Sequence, residues 1–197
     1  MAIENEENPF VLFERWFGQA AACKDIDDPT AMTLATADEQ GYPDARQVLL
    51  KNHDARGFVF YTNMTSPKAA QLRAVPRAAL CFYWMPLGRQ VRIRGPVELV
   101  SAEEADAYFA TRPRQSRLGA WASKQSQPIE APMALERRLA RTVTRFLFGP
   151  VPRPEFWMGF RVIPEAMEFW LKKPYRLHDR LLYSRTAEGW TCLRLYP

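Results

Sequence analysis

At 197 residues the chain holds one domain's worth of sequence, enough to bury a core without metal or disulfide support. Apolar residues make up 47% and charged residues 25%, and the three scattered cysteines, Cys23, Cys81 and Cys192, exclude a disulfide framework or a zinc cluster. The net charge of +5 admits an anionic partner, whereas the acidic N-terminus and the lack of any apolar run of about 20 residues argue against a signal peptide or membrane span; a reduced, cytoplasmic setting is expected.

Asn8-Pro9 reads as an N-cap followed by proline at the first helical position. Phe10, Phe13, Phe17 and Ala20 follow at helical spacing, which predicts an amphipathic helix to about Cys23 with its aromatic stripe in core or dimer packing. From residue 31 the period changes. Short β-branched or aromatic runs at 31–37, 45–52, 57–62, 77–84 and 90–100, separated by turn-formers, predict five strands with hairpin-length connections. Such a meander favours an antiparallel barrel or sandwich over a parallel α/β sheet. A helix over 101–111 opens with a capping-box pair, Ser101 and Glu104. Pro113 then forces a corner. A further helix over 132–147 would turn Leu135, Leu139, Val143 and Phe146 inward and leave Arg137, Arg138, Arg141 and Arg145 solvated. Strands return at 155–162, 166–171, 181–185 and 190–195. The reading is a mainly β fold with flanking helices: a helical segment over 1–30 and a single barrel domain over 31–197.

No G-x-G-x-x-G or G-x-x-x-x-G-K-[ST] loop is present, so anion binding must come from side chains and helix N-termini. Ser66-Pro67-Lys68 would open a helix with a lysine beside its free N–H groups. Arg46-Gln47-Val48-Leu49-Leu50-Lys51 puts a cation at each end of an apolar strand, as rim charge or as two phosphate contacts. Trp121 through Ser126 is too polar for a core and is a loop or a site. Arg176-Leu177-His178-Asp179-Arg180 holds one of two histidines. In an extended backbone its Arg176, His178 and Arg180 project to one side, a surface suited to a flat anionic ligand. The basic residues are interleaved rather than gathered in a stripe, so no nucleic-acid partner is expected.

Five blocks, Arg46–Lys51, Phe60-Tyr61-Thr62-Asn63, Gly119 through Ser126, Glu168-Phe169-Trp170 and Arg176–Arg180, together resemble the signature of the pyridoxine/pyridoxamine 5′-phosphate oxidase family, in order and over nearly the whole chain. The resemblance implies an FMN-binding split β-barrel homodimer with sites at the subunit interface. It implies oxidation of pyridoxine 5′-phosphate or pyridoxamine 5′-phosphate to pyridoxal 5′-phosphate, with O2 as acceptor and H2O2 released. It carries FMN contacts onto Arg46, Lys51, Tyr61, Thr62, Lys68, Gln90, Gln125, Ser126, Trp170 and Arg180. Substrate contacts fall on Lys51, Tyr108, Arg112 and Ser116, with Arg176 and His178 as the catalytic pair over the pyridine ring. No metal is implied.

The chain departs from the family at Pro67, where an arginine is usual, and so lacks one phosphate cation. Tyr196 stands where alanine is common, a position expected to have no bearing on FMN. Two alternatives stay open at this point: another split-barrel flavin reductase working with a nicotinamide, and a non-catalytic pyridoxal phosphate carrier.

Overall fold

In the computed structural model, which describes residues 2–197, helix α1 (Pro9–Ala22) starts as the sequence predicts. Asn8 Oδ1 accepts from Phe10 N at 3.0 Å, and Pro9 occupies the first turn. Leu12, Phe13 and Trp16 are buried in the same core as the strands. The Phe13 ring lies 4.8 Å from Phe58 and 5.3 Å from Phe82. Truncating such a contact-rich ring to alanine costs about 3–5 kcal/mol.

Ten antiparallel strands follow: β1 (Ala31–Ala37), β2 (Pro43–Leu49), β3 (Asn52–Asp54), β4 (Gly57–Asn63), β5 (Arg77–Trp84), β6 (Arg89–Leu99), β7 (Trp157–Val162), β8 (Ala166–Leu171), β9 (Asp179–Thr186) and β10 (Gly189–Leu195). Their order is β10-β9-β8-β6-β5-β1-β2, with β4 pairing β3 and β7, and β7 pairing β6. The long strand β6 splits the barrel. Its first half, Arg89–Arg94, pairs with β8, and its last residues, Val97–Leu99, pair with β7. The changeover falls at Gly95, where an added Cβ would stand 1.9 Å from the Ile163 carbonyl oxygen. Only glycine lets the β7–β8 connection cross so closely.

The predicted strand over 45–52 is two strands. Leu50 N donates to Thr30 O at 2.9 Å, and Lys51 N donates to Val59 O at 2.8 Å. The backbone thereby changes partner from β1 to β4 between β2 and β3. That transfer depends on long-range pairing, which local alternation cannot register.

Five helices lie at the margins: α1, α2 (Pro67–Ala74), α3 (Ala102–Thr111), α4 (Arg114–Ala122) and α5 (Ala134–Arg145). The capping box holds, with Glu104 N donating to Ser101 Oγ at 3.1 Å. Helix α4 was not foreseen; it takes Trp121 into its last turn and leaves residues 123–133 as a loop. For α5 the orientation differs from expectation. Leu135, Leu139 and Val143 are exposed, while Phe146 packs on Trp121 at 5.2 Å. Arg138 Nε donates to the Ala122 carbonyl at 2.7 Å. The helix therefore meets α4 through a mixed face that includes the Arg138 guanidinium and the Phe146 ring.

Candidate functional site

The first group of site residues lies where β4 runs into α2. Ser66 takes the N-cap position with Pro67 at the first turn, although the Ser66 hydroxyl makes no cap bond. Its Oγ lies 3.5 Å from Thr62 Oγ1 instead. Lys68, one residue into the helix, is only 7% exposed and forms no ion pair or hydrogen bond among the described residues. Burial and the nearby Arg46 guanidinium push its ammonium below the ordinary lysine range. Arg46 is oriented by Thr36 Oγ1 at 2.6 Å and Gln71 Oε1 at 3.1 Å. Thr36 and Gln71 escaped assignment because each is an ordinary polar residue until the fold sets it beside Arg46.

The second group opens from the first. Gln125 Oε1 accepts from Thr62 Oγ1 at 3.1 Å and from Asn63 N at 3.2 Å, which leaves the amide nitrogen free to donate. Tyr61, Thr62, Arg112 and Gln125 line one cavity of about 240 Å³, together with Trp157. Tyr61 stacks on Trp157 at 4.7 Å and on Tyr108 at 4.4 Å. Burial, helped by the Glu104 carboxylate, pushes the Tyr61 phenol up to about 12, so it stays a neutral donor. Arg112, at the end of α3, stacks over Trp157 at 5.0 Å. Its Nη1 is buried with no hydrogen-bond partner, and burial holds its proton affinity below the usual arginine value.

The third group lies on the outer sheet face. Gln90 pairs with Trp170 across β6 and β8, and Trp170 pairs with Arg180 across β8 and β9. Three residues far apart in sequence thus form one row. Glu168 Oε1 accepts from Arg180 Nε at 2.9 Å, and Glu168 Oε2 accepts from Arg92 Nη1 at 3.2 Å. Two guanidiniums on one carboxylate leave this face net positive. Arg180 Nη1 also donates to the backbone carbonyl of Tyr196 at 3.0 Å, a contact that does not involve the exposed Tyr196 side chain. His178 packs on Trp170 at 4.5 Å, and its Nδ1 accepts from Lys173 N at 3.2 Å.

The stretch Arg176–Arg180 is not one extended strand. Pro174–Arg176 form a 3-10 turn in which Tyr175 and Arg176 have φ of 56° and 62°, and β9 begins only at Asp179. Arg176 is exposed and its backbone is left-handed, so strand alternation does not set its side. Pro174 starts a turn that overrides the alternation expected of a strand. Lys51, Ser116 and Ser126 are also exposed, and none forms a side-chain hydrogen bond or ion pair among the described residues. No hydrogen bond, ion pair, ring contact or shared cavity among the described residues joins the third group to the first two.

Buried cations in folded proteins are paired. Lys68 beside Arg46, and the orphaned Nη1 of Arg112, therefore fit anionic groups, and the phosphate of FMN is one such group. A split antiparallel barrel with phosphate-ready cations and stacked aromatics defines a class of proteins that hold phosphorylated flat rings. The chain belongs to the pyridoxamine 5′-phosphate oxidase family. The pyridoxamine 5′-phosphate oxidase model matches residues 19–146, and the pyridoxine 5′-phosphate oxidase C-terminal dimerisation region matches residues 157–197. A pyridoxine/pyridoxamine 5′-phosphate oxidase of Maricaulis maris is 56% identical over 99% of this chain and 88% of its own length. One from Caulobacter vibrioides is 54% identical over 98% of this chain and 86% of its own. Among solved structures, PhzG from Burkholderia lata 383, in complex with tetrahydrophenazine-1-carboxylic acid, superposes with a TM-score of 0.92 at 31% identity, covering 98% of this chain and 95% of its own. A pyridoxamine 5′-phosphate oxidase-related, FMN binding protein from Nostoc punctiforme shares the fold, with a TM-score of 0.75 at 19% identity over the full length of both chains.

Proposed function

We propose that the chain is an FMN-dependent oxidase converting pyridoxine 5′-phosphate or pyridoxamine 5′-phosphate to pyridoxal 5′-phosphate, with O2 as acceptor and H2O2 released. It works as a homodimer. The observation that carries this reading is two unpartnered cationic groups, the buried ammonium of Lys68 and the buried Nη1 of Arg112, flanking the Thr62–Gln125 contact, with Arg46, itself paired with Asp44, beside Lys68. Two phosphate monoesters, one on cofactor and one on substrate, supply the missing anions.

In this reading Arg46, Lys68, Thr62, Gln125 and Ser126 hold the phosphate end of FMN, and Tyr61 donates to it from the cavity wall. Gln90, Trp170 and Arg180 hold its ring end from the second subunit. That division is supported by their separation from the first two groups, and by the place of Trp170 and Arg180 within the region matched as dimerising. Lys51, Tyr108, Arg112 and Ser116 take the substrate phosphate, and Arg176 and His178 face its pyridine ring. When bound, FMN supplies the two-electron acceptor that O2 restores. Because His178 Nδ1 accepts from Lys173 N, the neutral imidazole carries its proton on Nε2 and acts as a donor to the 3-oxygen on the substrate's pyridine ring. His178 orients; it does not take a proton through that nitrogen. We also place the protein in the cytoplasm. Three free thiols suit a reducing compartment, and among the described residues no helix is long and apolar enough to cross a membrane.

The visible spectrum of the purified protein tests the reading. Yellow flavin bands that bleach anaerobically with pyridoxamine 5′-phosphate, without a nicotinamide, and return with H2O2 on admitting air are the expected result. Bleaching only by a reduced nicotinamide points to a reductase, and FMN-loaded protein that binds pyridoxal phosphate without oxidising any substrate points to a carrier. Bleaching by a reduced phenazine carboxylic acid in place of the vitamer points to chemistry closer to PhzG.

A further inference from the structure

Residues 3–6 lie outside both matched family regions, yet they are tied to β9 and β10. Ile3 N donates to Asp179 Oδ2 at 2.6 Å, and the Ile3 carbonyl accepts from Arg194 Nη2 at 3.0 Å. The Ile3 side chain is buried in the core. Tyr183 Oη accepts from Glu6 N at 3.1 Å and donates to Asn5 Oδ1 at 3.0 Å. Glu4 and Glu6 pair with Arg15 of α1 at 2.8 and 2.9 Å. The segment is a strap fastened along its length.

What the strap fastens is Asp179, the residue between His178 and Arg180. Asp179 is 6% exposed and also pairs with Arg194 and, at 3.6 Å, with Lys173 Nζ. Lys173 is the residue whose backbone N–H meets His178 Nδ1. Between them, Tyr175 and Arg176 hold left-handed backbone, a conformation costing about 1–2 kcal/mol for each residue other than glycine. A turn strained in this way keeps its shape only when its surroundings impose it. With the Asp179 side chain anchored inward, strand alternation directs Arg180 outward to Trp170 and Glu168.

We propose that residues 3–6 are a positioning element for the substrate face: by holding Asp179 they fix the turn from Lys173 to Arg180, and with it His178 and Arg180. This rests on the reading of His178 and Arg180 as site residues. The strap makes no contact with Lys68, Arg46 or Gln125, so its loss separates turnover from the phosphate end of cofactor binding.

The test compares the intact holoenzyme with a chain lacking residues 2–6, with Asp179→Asn, with Tyr183→Phe and with His178→Ala. The readouts are the anaerobic bleaching rate per bound flavin with pyridoxamine 5′-phosphate, the FMN dissociation constant, and amide hydrogen exchange over residues 173–180. A displacement of about 1 Å at reacting groups slows a reaction up to about 100-fold. The truncation is expected to slow bleaching at least tenfold per bound flavin and to speed exchange over 173–180, with FMN binding weakened by a smaller factor through Arg180 at the ring end. Tyr183→Phe, which frees Asn5 and Glu6 of the strap, is expected to slow bleaching two- to fivefold, and Asp179→Asn more than that. A purely structural strap would lower the melting temperature and leave the rate per bound flavin alone. A rate within twofold of the intact enzyme in the truncation overturns the proposal; should the truncated chain not fold, the same result in both Asp179→Asn and Tyr183→Phe overturns it. If His178→Ala slows bleaching while the strap variants do not, this inference alone fails; if His178→Ala also leaves the rate unchanged, the site reading fails with it.

Discussion

Trp170 and Arg180 face one another across β8 and β9, and Glu168, two residues before Trp170 on the same face, holds Arg180 Nε at 2.9 Å. Register makes this a rigid unit: each of the three side chains is set by a ladder position, and no loop intervenes. The groups proposed to bind phosphate are fixed differently, by a helix start and by Gln125 reaching from the loop after α4. Ring recognition on strands and phosphate recognition at loop and helix ends divide the work of the proposed site.

Lys68 gives the first prediction. Its ammonium loses its proton below the ordinary lysine value because of burial and Arg46, and phosphate prefers the charged form. FMN affinity is therefore expected to fall as pH rises through that lowered pKa, earlier than an unperturbed lysine near 10.4 would allow. Lys68→Arg removes the decline because guanidinium stays charged. Lys68→Met weakens binding at neutral pH about 10- to 100-fold, the loss of one charge-assisted contact, and flattens the pH dependence. Fluorescence titration of apoprotein from pH 7 to 10 reads all three.

Arg112 gives the second. With its Nη1 free for the substrate phosphate, Arg112→Met is expected to raise KM for pyridoxamine 5′-phosphate roughly 10- to 100-fold while kcat changes little, the signature of lost uniform binding. The FMN dissociation constant stays the same. A fall in kcat with KM unchanged would remove Arg112 from the phosphate site.

Pro67 gives the third. It stands at the first position of α2, beside Lys68, and supplies no charge there. Pro67→Arg is expected to tighten FMN binding about tenfold, equal to about 1.4 kcal/mol, in a titration at low salt, with the gain shrinking as ionic strength rises. An unchanged constant would mean that position 67 points away from the phosphate.

Gly95 gives the fourth. A Cβ there would meet the Ile163 carbonyl at 1.9 Å, and backbone cannot move aside as a side chain can. Gly95→Ala is expected to destabilise by about 3 kcal/mol, at the upper end of overpacking costs, and to lower Tm by roughly 6–12 °C. A melting temperature within 2 °C of the parent would show that the crossover has slack.

Local chemistry made much of this protein legible. Asn8-Pro9 and the Ser101–Glu104 box place helix starts because capping involves only neighbours in sequence. The runs at 31–37, 77–84 and 166–171 coincide with β1, β5 and β8 because β1 and β5 bury one face in regular alternation and β8 is buried or half-buried throughout. The five motif blocks pointed to one family because each is a short, contiguous string. Other features needed the folded chain. The break at Leu50–Lys51 follows from a change of pairing partner, and which side of α5 meets α4 is decided by tertiary contacts of Arg138 and Phe146. Thr36, Gln71, Glu168 and Asp179 became orienting groups only when strands and helices distant in sequence closed around Arg46, Arg180 and His178. Hydrogen bonds across 10 to 176 residues leave no periodic trace, so the supports of a site are written in space, whereas its ligands are written in line.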